Sequence, residues 1–228
     1  MDKKKLSAAI GMTAGAATAA GLSLAMRPWF LNWGATDEEI ARYRPGDELA
    51  PGAASVATRT VTIHAPVDAV WPWIDQIGQD RGGFYSYAWL ENLFGARIRN
   101  ADRILPGQPG RQVGDTVRMT PRERYGGKGC MRVARLEPGR DMVLVSPDDY
   151  DNSVTYGIAP EGTWAFILEP VDERTTRLIV RSRSGPRPGV FRYMVFDPIH
   201  FVMERKMMLS IRDLAEAAAV HQGEARAA

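Results

Sequence analysis

No glycine or proline interrupts the chain between Pro198 and Gly223, and no other stretch constrains the fold as much. Phe196-Asp197-Pro198 reads as a helix start, with Asp197 at the cap and Pro198 in the first turn. Ile199, Val202, Met203, Met207, Ile211 and Leu214 then recur at i, i+3, i+4 spacing, with Ser210 on the same side. This spacing predicts a long C-terminal helix with a single apolar stripe. Such a stripe has to be buried, so the helix is expected to lie across a sheet.

The strands that could form that sheet come earlier. Residues 57–63 alternate small or apolar with polar residues, carry several β-branched side chains and stop at Ala65-Pro66, which predicts a first strand. Two short helices are expected next. The first covers residues 67–77, with Val70, Trp71, Ile74 and Ile77 at helical spacing and Pro72 as a kink or early end. The second covers residues 85–94, with Trp89, Leu90, Leu93 and Phe94 on one side. After a breaker-rich loop at 100–114, short strands are predicted at 116–120, 130–136, 142–146, 163–169 and 175–182, separated by Gly and Pro. Connections this short favour an antiparallel sheet over βαβ units. In the strand at 163–169 Trp164, Phe166 and Leu168 share a face, and in the strand at 175–182 and just beyond it Arg177, Arg181 and Arg183 fall opposite Leu178 and Val180. Arg181 and Arg183 are expected on an outward surface in water, projection into a pocket toward an acidic ligand group being the alternative.

The N-terminal quarter is different in character. Residues 1–5 are a basic start, and residues 6–26 contain no charge but eight alanines and three glycines. That length suits a single-pass anchor, with Gly11 and Gly15 as a close-packing face. A cleaved signal peptide is the alternative, with Ser23 and Ala25 as the small residues of a cleavage site. The lysines on the N-terminal side place the body across the membrane in either case. Arg27, Trp29 and Trp33 fall where a spanning helix would meet head groups. Thr36-Asp37-Glu38-Glu39 is a capping box that predicts a short helix to about Tyr43, and residues 44–54 are rich in Pro and Gly. The expected organisation is therefore a short helix and linker at 27–53, a domain at 54–220 and a flexible tail at 221–228.

Composition narrows the function. With 45% hydrophobic and 25% charged residues the chain is neither disordered nor collagenous. Basic and acidic residues, 29 against 27, are mixed along the chain, so nucleic acid is not expected as a partner. Cys130 is the sole cysteine. His64, His200 and His221 show no metal-ligand spacing, so no metal and no cofactor are expected. Gly126-Gly127-Lys128-Gly129 lacks the rest of a phosphate loop, and the run at Asp148, Asp149, Asp151 and Asn152 lacks the pattern of a calcium loop. The first is expected as a turn and the second as a solvated loop.

A strand, two short helices, a meander of strands and one long closing helix resemble, over residues 57–219, the START-like helix-grip superfamily, also called SRPBCC, which includes polyketide cyclases and lipid-transfer proteins. The phrases RPWFLNWGATDEE, GGFYSYAWLENL, ADRILPG, TWAFILEP and HFVMERKM look like a bacterial branch with an N-terminal apolar segment. The resemblance implies an α+β fold in which a curved antiparallel sheet wraps around the C-terminal helix, leaving a pocket between them. The expected activity is binding, or transport, of a small hydrophobic or lipid-like ligand. Tyr85, Trp89, Trp164, Phe166, Met203 and Met207 are the candidate contacts, their thioethers and rings suited to ligands of varied shape; core packing is their other use. The alternative is a cyclase or dehydratase acting by acid–base chemistry, with Tyr85, Glu91, Asp102 and His200 as candidates. Loop-fixing is the other use of Asp102 and its neighbour Arg103.

Overall fold

The computed structural model describes residues 21–22, 24–93, 95–186 and 196–227. Most of the uncharged 6–26 segment therefore lies outside the described residues. Among the described residues, no helix is long and apolar enough to cross a membrane.

Six antiparallel strands form one curved sheet in the spatial order β1-β6-β5-β4-β3-β2. They are β1 (Ser55–Ile63), β2 (Thr116–Arg118), β3 (Cys130–Glu137), β4 (Asp141–Val145), β5 (Gly162–Asp172) and β6 (Thr175–Ser184). The helices are α1 over residues 24–31, α2 (Asp37–Ala41), α3 (Val67–Asp75), α4 (Ala88–Leu93), α5 (Pro147–Tyr156) and the closing α6 (Asp197–Ala227). The six expected strands are all present, and α6 lies against the sheet with α3 beside it. Alternation along the strands sends Val61, Ile63, Phe166, Leu168, Leu178 and Val180 to the inner face, where they form one core with Trp73, Ile74, Ile77, Met208 and Ile211. Arg111, itself buried, donates to the Asp75 and Ile77 carbonyls and so closes the end of α3 beyond Pro72.

Four local expectations change. The buried stripe of α6 is Phe201, Glu204, Met207, Met208, Ile211 and Ala215, whereas Ile199 and Val202 are about half exposed. The helix is rotated from the all-apolar stripe because a carboxylate, Glu204, belongs to its buried face. The short α4 buries none of its residues, and Trp89 and Leu93 project into solvent at 69% and 73% exposure. The acidic run expected as a loop is α5. Ser146 caps it, Pro147 occupies its first turn and Gly157 ends it in the left-handed region. Its lack of an apolar stripe hid it, although its start and stop signals are all present.

The fourth change concerns residues 33–54, expected as helix and linker. This segment lies on the outer face of the sheet. The capping box at Thr36 forms as expected, and Glu39 pairs with Arg177 through both oxygens at 2.7 and 2.9 Å. Asp47 accepts from Arg181 Nε at 2.8 Å, Arg181 Nη2 at 3.0 Å and Arg183 Nη1 at 3.2 Å. Leu49 covers the small outer cluster of Val143, Ala165, Ile167 and Ile179. The arginine row of β6 was expected to face water; it is instead where the N-terminal segment docks.

Candidate functional site

The inner face of the sheet is not filled along its whole length. At the edge near the start of α6, the β1–β6 ladder places Ser55 opposite Ser184 and Ala57 opposite Ser182. Four small side chains thus meet where bulkier residues occupy the rest of the inner face. The first turns of α6 pass over this patch, and the space left is a cavity of about 630 Å3. Phe84, Ala96, Ile98, Met119, Met131 and Trp164 form its apolar walls, and Ile199, Met203 and Met207 its helical side. Phe84 and Trp164 stack with centroids 6.1 Å apart.

One end of the cavity holds a compact ionic cluster. Arg59 extends from β1 and Glu204 from α6, each almost fully buried, and Arg59 Nη1 donates to Glu204 Oε2. Trp164 Nε1 donates to Glu204 Oε1 at 2.8 Å, and Arg59 Nε donates to the Phe30 carbonyl at 2.7 Å. His200 Nδ1 stands 3.3 Å from Arg59 Nη1, with its Nε2 3.8 Å from Glu204 Oε1. A guanidinium can only donate, so in a hydrogen bond between these two groups Nδ1 is the acceptor. Burial is the largest single influence on the Glu204 carboxyl and raises it, but the Arg59 charge, the neighbouring His200 and the hydrogen bonds from Arg59 and Trp164 together outweigh it and hold the group below the usual carboxylate range.

Glu91 is the other acid in the cavity wall. Burial pushes its carboxyl up to about 7, and its buried Oε2 has no hydrogen-bond partner among the described residues. Folding raises this pKa, so the ionised form costs stability. The cost is absent well below the unfolded value, grows as pH rises past it and is complete above about 7. Water reaches part of the group, which leaves about 1 kcal/mol of effect. Glu91→Gln is therefore expected to stabilise the protein by about 1 kcal/mol at pH 8 and to leave it unchanged at pH 4. Urea denaturation at the two pH values checks this.

The turn that carries Phe84 and Ser86 into the wall is unusual. Tyr85 has φ 53°, in the left-handed region. Asn100 holds it there: its Oδ1 accepts from Phe84 N at 3.2 Å and Tyr85 N at 2.8 Å, and its Nδ2 donates to the Ser86 carbonyl at 2.8 Å. Ser86 Oγ in turn donates to the Met203 carbonyl of α6. Asn100→Ala removes three hydrogen bonds from a buried, strained turn, and the expected cost is about 2–3 kcal/mol in a denaturation midpoint.

The candidates named from sequence are divided by this geometry. Trp164, Met203, Met207, Glu91 and His200 line the cavity. Phe166 lies behind Trp164 in the core, with ring centroids 4.8 Å apart. Tyr85 is buried beside Trp73, its hydroxyl accepting from Gln76 Nε2 at 2.8 Å, and burial drives its pKa up. Asp102 and Trp89 are exposed and do not line the cavity. The four acid–base candidates therefore do not converge: Glu91 and His200 share the cavity, while Tyr85 and Asp102 stand outside it. Sequence reading missed Arg59, and it reaches Glu204 only as the carboxylate four residues after His200 on the same helix face, not as a buried partner of β1. The available signal was their register, since Arg59 alternates with Ala57 and Val61 on the inward face of β1, and Glu204 sits one turn from Met208.

No protein-family model matches the sequence, and no curated protein matches it significantly. Solved structures do align with it. The Aha1 dimer from Colwellia psychrerythraea is 14% identical with a TM-score of 0.44, over 72% of this chain and 98% of that one. A polyketide-cyclase-like protein from Corynebacterium glutamicum is 18% identical with a TM-score of 0.32, over 74% and 92%. An HSP90 activator from Plasmodium falciparum is 12% identical with a TM-score of 0.34, over 60% and 77%. Identities this low concern the fold alone, and scores below 0.5 add nothing to what the topology shows directly. On its own strand order, with two short helices after β1 and a sheet closed over one long C-terminal helix, the chain has the helix-grip fold.

Proposed function

We propose that this protein binds a small hydrophobic or lipid-like molecule in the cavity between the sheet and α6. The observation that carries the reading is the hollow itself. Ser55, Ala57, Ser182 and Ser184 are small at the four positions where larger side chains would close the sheet against the helix. Folding gains by filling space, and an unfilled apolar hollow forgoes dispersion and burial energy. Its size suits a small ligand held by apolar walls with a few placed polar groups. Titration with N-phenyl-1-naphthylamine tests this. The wild-type chain is expected to bind the dye with enhanced, blue-shifted emission, and Ser182→Trp, which fills the floor, is expected to lose at least tenfold in affinity while keeping its circular dichroism. Equal binding by both chains would place the dye elsewhere and count against the cavity.

One observation favours a second reading, in which a bound ligand is also converted. Glu91, with its carboxyl pushed up to about 7 and its Oε2 without a hydrogen-bond partner among the described residues, lines the same cavity as His200. A group that changes protonation near neutral pH is suited to acid–base work of the cyclase or dehydratase type. If so, the ligand recovered from Glu91→Gln expressed in the native host differs from that in wild type, by the mass of water or by retention time. An identical ligand in both removes this reading and leaves binding intact.

We propose the uncharged segment as an anchor, with the domain at 54–220 on the far side of the membrane; export after cleavage is the alternative. Sequencing the mature N-terminus separates them, since a chain starting at Met26 or beyond has lost the anchor.

A further inference from the structure

The wall of the cavity away from the sheet is built by α4 and residues 95–124, and its outer surface carries a charge that the overall balance conceals. Residues 95–128 contain eight basic side chains, of which Arg111 is buried, and three acidic ones, against a net charge of +2 for the whole chain. Their placement follows a simple alternation. Ala96 and Ile98 are buried and face the cavity, while Arg97 and Arg99, which alternate with them, are exposed. Met119 and Thr120 line the cavity, and Arg122 and Arg124 follow them on the outside. The Arg124 guanidinium lies against Gly95, bringing the two stretches together. None of Arg97, Arg99, Arg103, Arg122 and Arg124 has a carboxylate within 4.0 Å among the described residues.

Large apolar side chains stand exposed among these arginines. Trp89 and Leu93 project from α4, Ile104 lies in the loop beyond Arg103, and Met119, Phe196 and Ile199 are exposed while also lining the cavity. Arginines alone would suit any polyanion. Arginines interleaved with exposed Trp, Leu, Ile and Met suit a surface that is anionic outside and apolar a few ångströms below. The chain's own uncharged segment also leads here. It ends at residue 26, inside the first turn of α1, and later in that helix Arg27 pairs with Asp197 at 3.1 Å and Leu31 lines the cavity.

We infer that the face formed by α4 and residues 95–124 docks on an anionic lipid bilayer, with the mouth of the cavity against the membrane. The arginines engage lipid phosphates, and Trp89, Leu93 and Met119 enter the head-group boundary. Docking on this face does not require an occupied cavity, so it stands or falls separately from the ligand.

The test uses the full chain in nanodiscs, with the natural cysteine removed (Cys130→Ser) and Leu93→Cys carrying an environment-sensitive NBD label. Emission is expected to shift to the blue and to resist iodide quenching in nanodiscs of phosphatidylcholine with phosphatidylglycerol, but not in phosphatidylcholine alone. Roughly 0.5 M salt, which shortens electrostatic screening to a few ångströms, is expected to reverse the shift. Each of Arg97→Gln and Arg99→Gln is expected to lower the docked-to-undocked ratio about fivefold. A label that reports the same environment in neutral and anionic nanodiscs overturns the inference. So does a shift that ignores salt and both substitutions, or protection conferred by an acidic polypeptide and not by lipid. The lipid and salt comparisons need no arginine variant, so a variant that fails to fold does not decide the outcome.

Discussion

Glu204→Ala is expected to cost about 3–5 kcal/mol of folding stability, a large share of the 5–15 kcal/mol typical of a domain. The loss does not measure the attraction between Glu204 and Arg59. Both side chains are nearly inaccessible to water, and deleting the carboxylate leaves the guanidinium buried with the Phe30 carbonyl, the His200 ring and the face of Phe201 beside it but no counter-charge among its described contacts. The Trp164 indole N–H loses its acceptor as well. Removing both charges at once is a different matter. Arg59→Met with Glu204→Met retains volume, exposes no orphan charge and is expected to recover most of the loss. A double-mutant cycle in urea reads this directly as a coupling energy. The pH dependence has a definite sign. Glu204 has a folded pKa held below its unfolded value, so its contribution is present above the unfolded pKa and disappears as pH falls through the folded one. Wild type and Glu204→Gln are therefore expected to converge in acid and to differ most near neutrality.

Asp47→Ala is expected to cost a similar 3–5 kcal/mol, although Asp47 lies in a segment whose Pro- and Gly-rich sequence reads as linker. Asp47 is 4% exposed and holds Arg181, itself 6% exposed, through two hydrogen bonds. It also accepts from the Arg44 amide at 3.1 Å and so closes its own turn. Without it, the guanidiniums of Arg181 and Arg183, side by side on one face of β6, lose their shared carboxylate, and residues 33–50 lose a fixing point. Hydrogen exchange is expected to accelerate first in residues 33–50 and in the outer cluster around Ile167 and Ile179. A loss under 1 kcal/mol, with no change in exchange, would return the segment to the status of a linker.

The layout of the fold was legible because its signals are local. Alternation marks the strands, breakers separate them, and the run from Pro198 to Gly223 can only be one long helix. What escaped were features set by partners distant in sequence. The arginine row of β6 reads as a solvated face until Glu39 and Asp47, about 140 residues earlier, are placed over it. Glu204 breaks an apolar stripe, so periodicity alone rotates the helix toward Ile199 and Val202; only the inward register of Arg59, some 145 residues away, explains why a carboxylate belongs in the core. The cavity was implied by the resemblance, but its floor is a matter of cross-strand pairing. Nothing in either strand alone says that Ser55 and Ala57 meet Ser184 and Ser182. Aromatic candidates divided for a related reason: Trp89 and Trp164 are equally apolar in sequence, yet one sits on a helix that buries nothing and the other on the inner face of a central strand.

The claim that joins these observations is that the hollow over Ser55, Ala57, Ser182 and Ser184 exists to hold a molecule. Native mass spectrometry of the chain, extracted gently from its own host, addresses it most directly. The expected result is a discrete mass in excess of the polypeptide for wild type, released on collisional activation, and the bare polypeptide for a folded Ala57→Trp chain. Bare polypeptide from both, or the same adduct on both, would contradict the account.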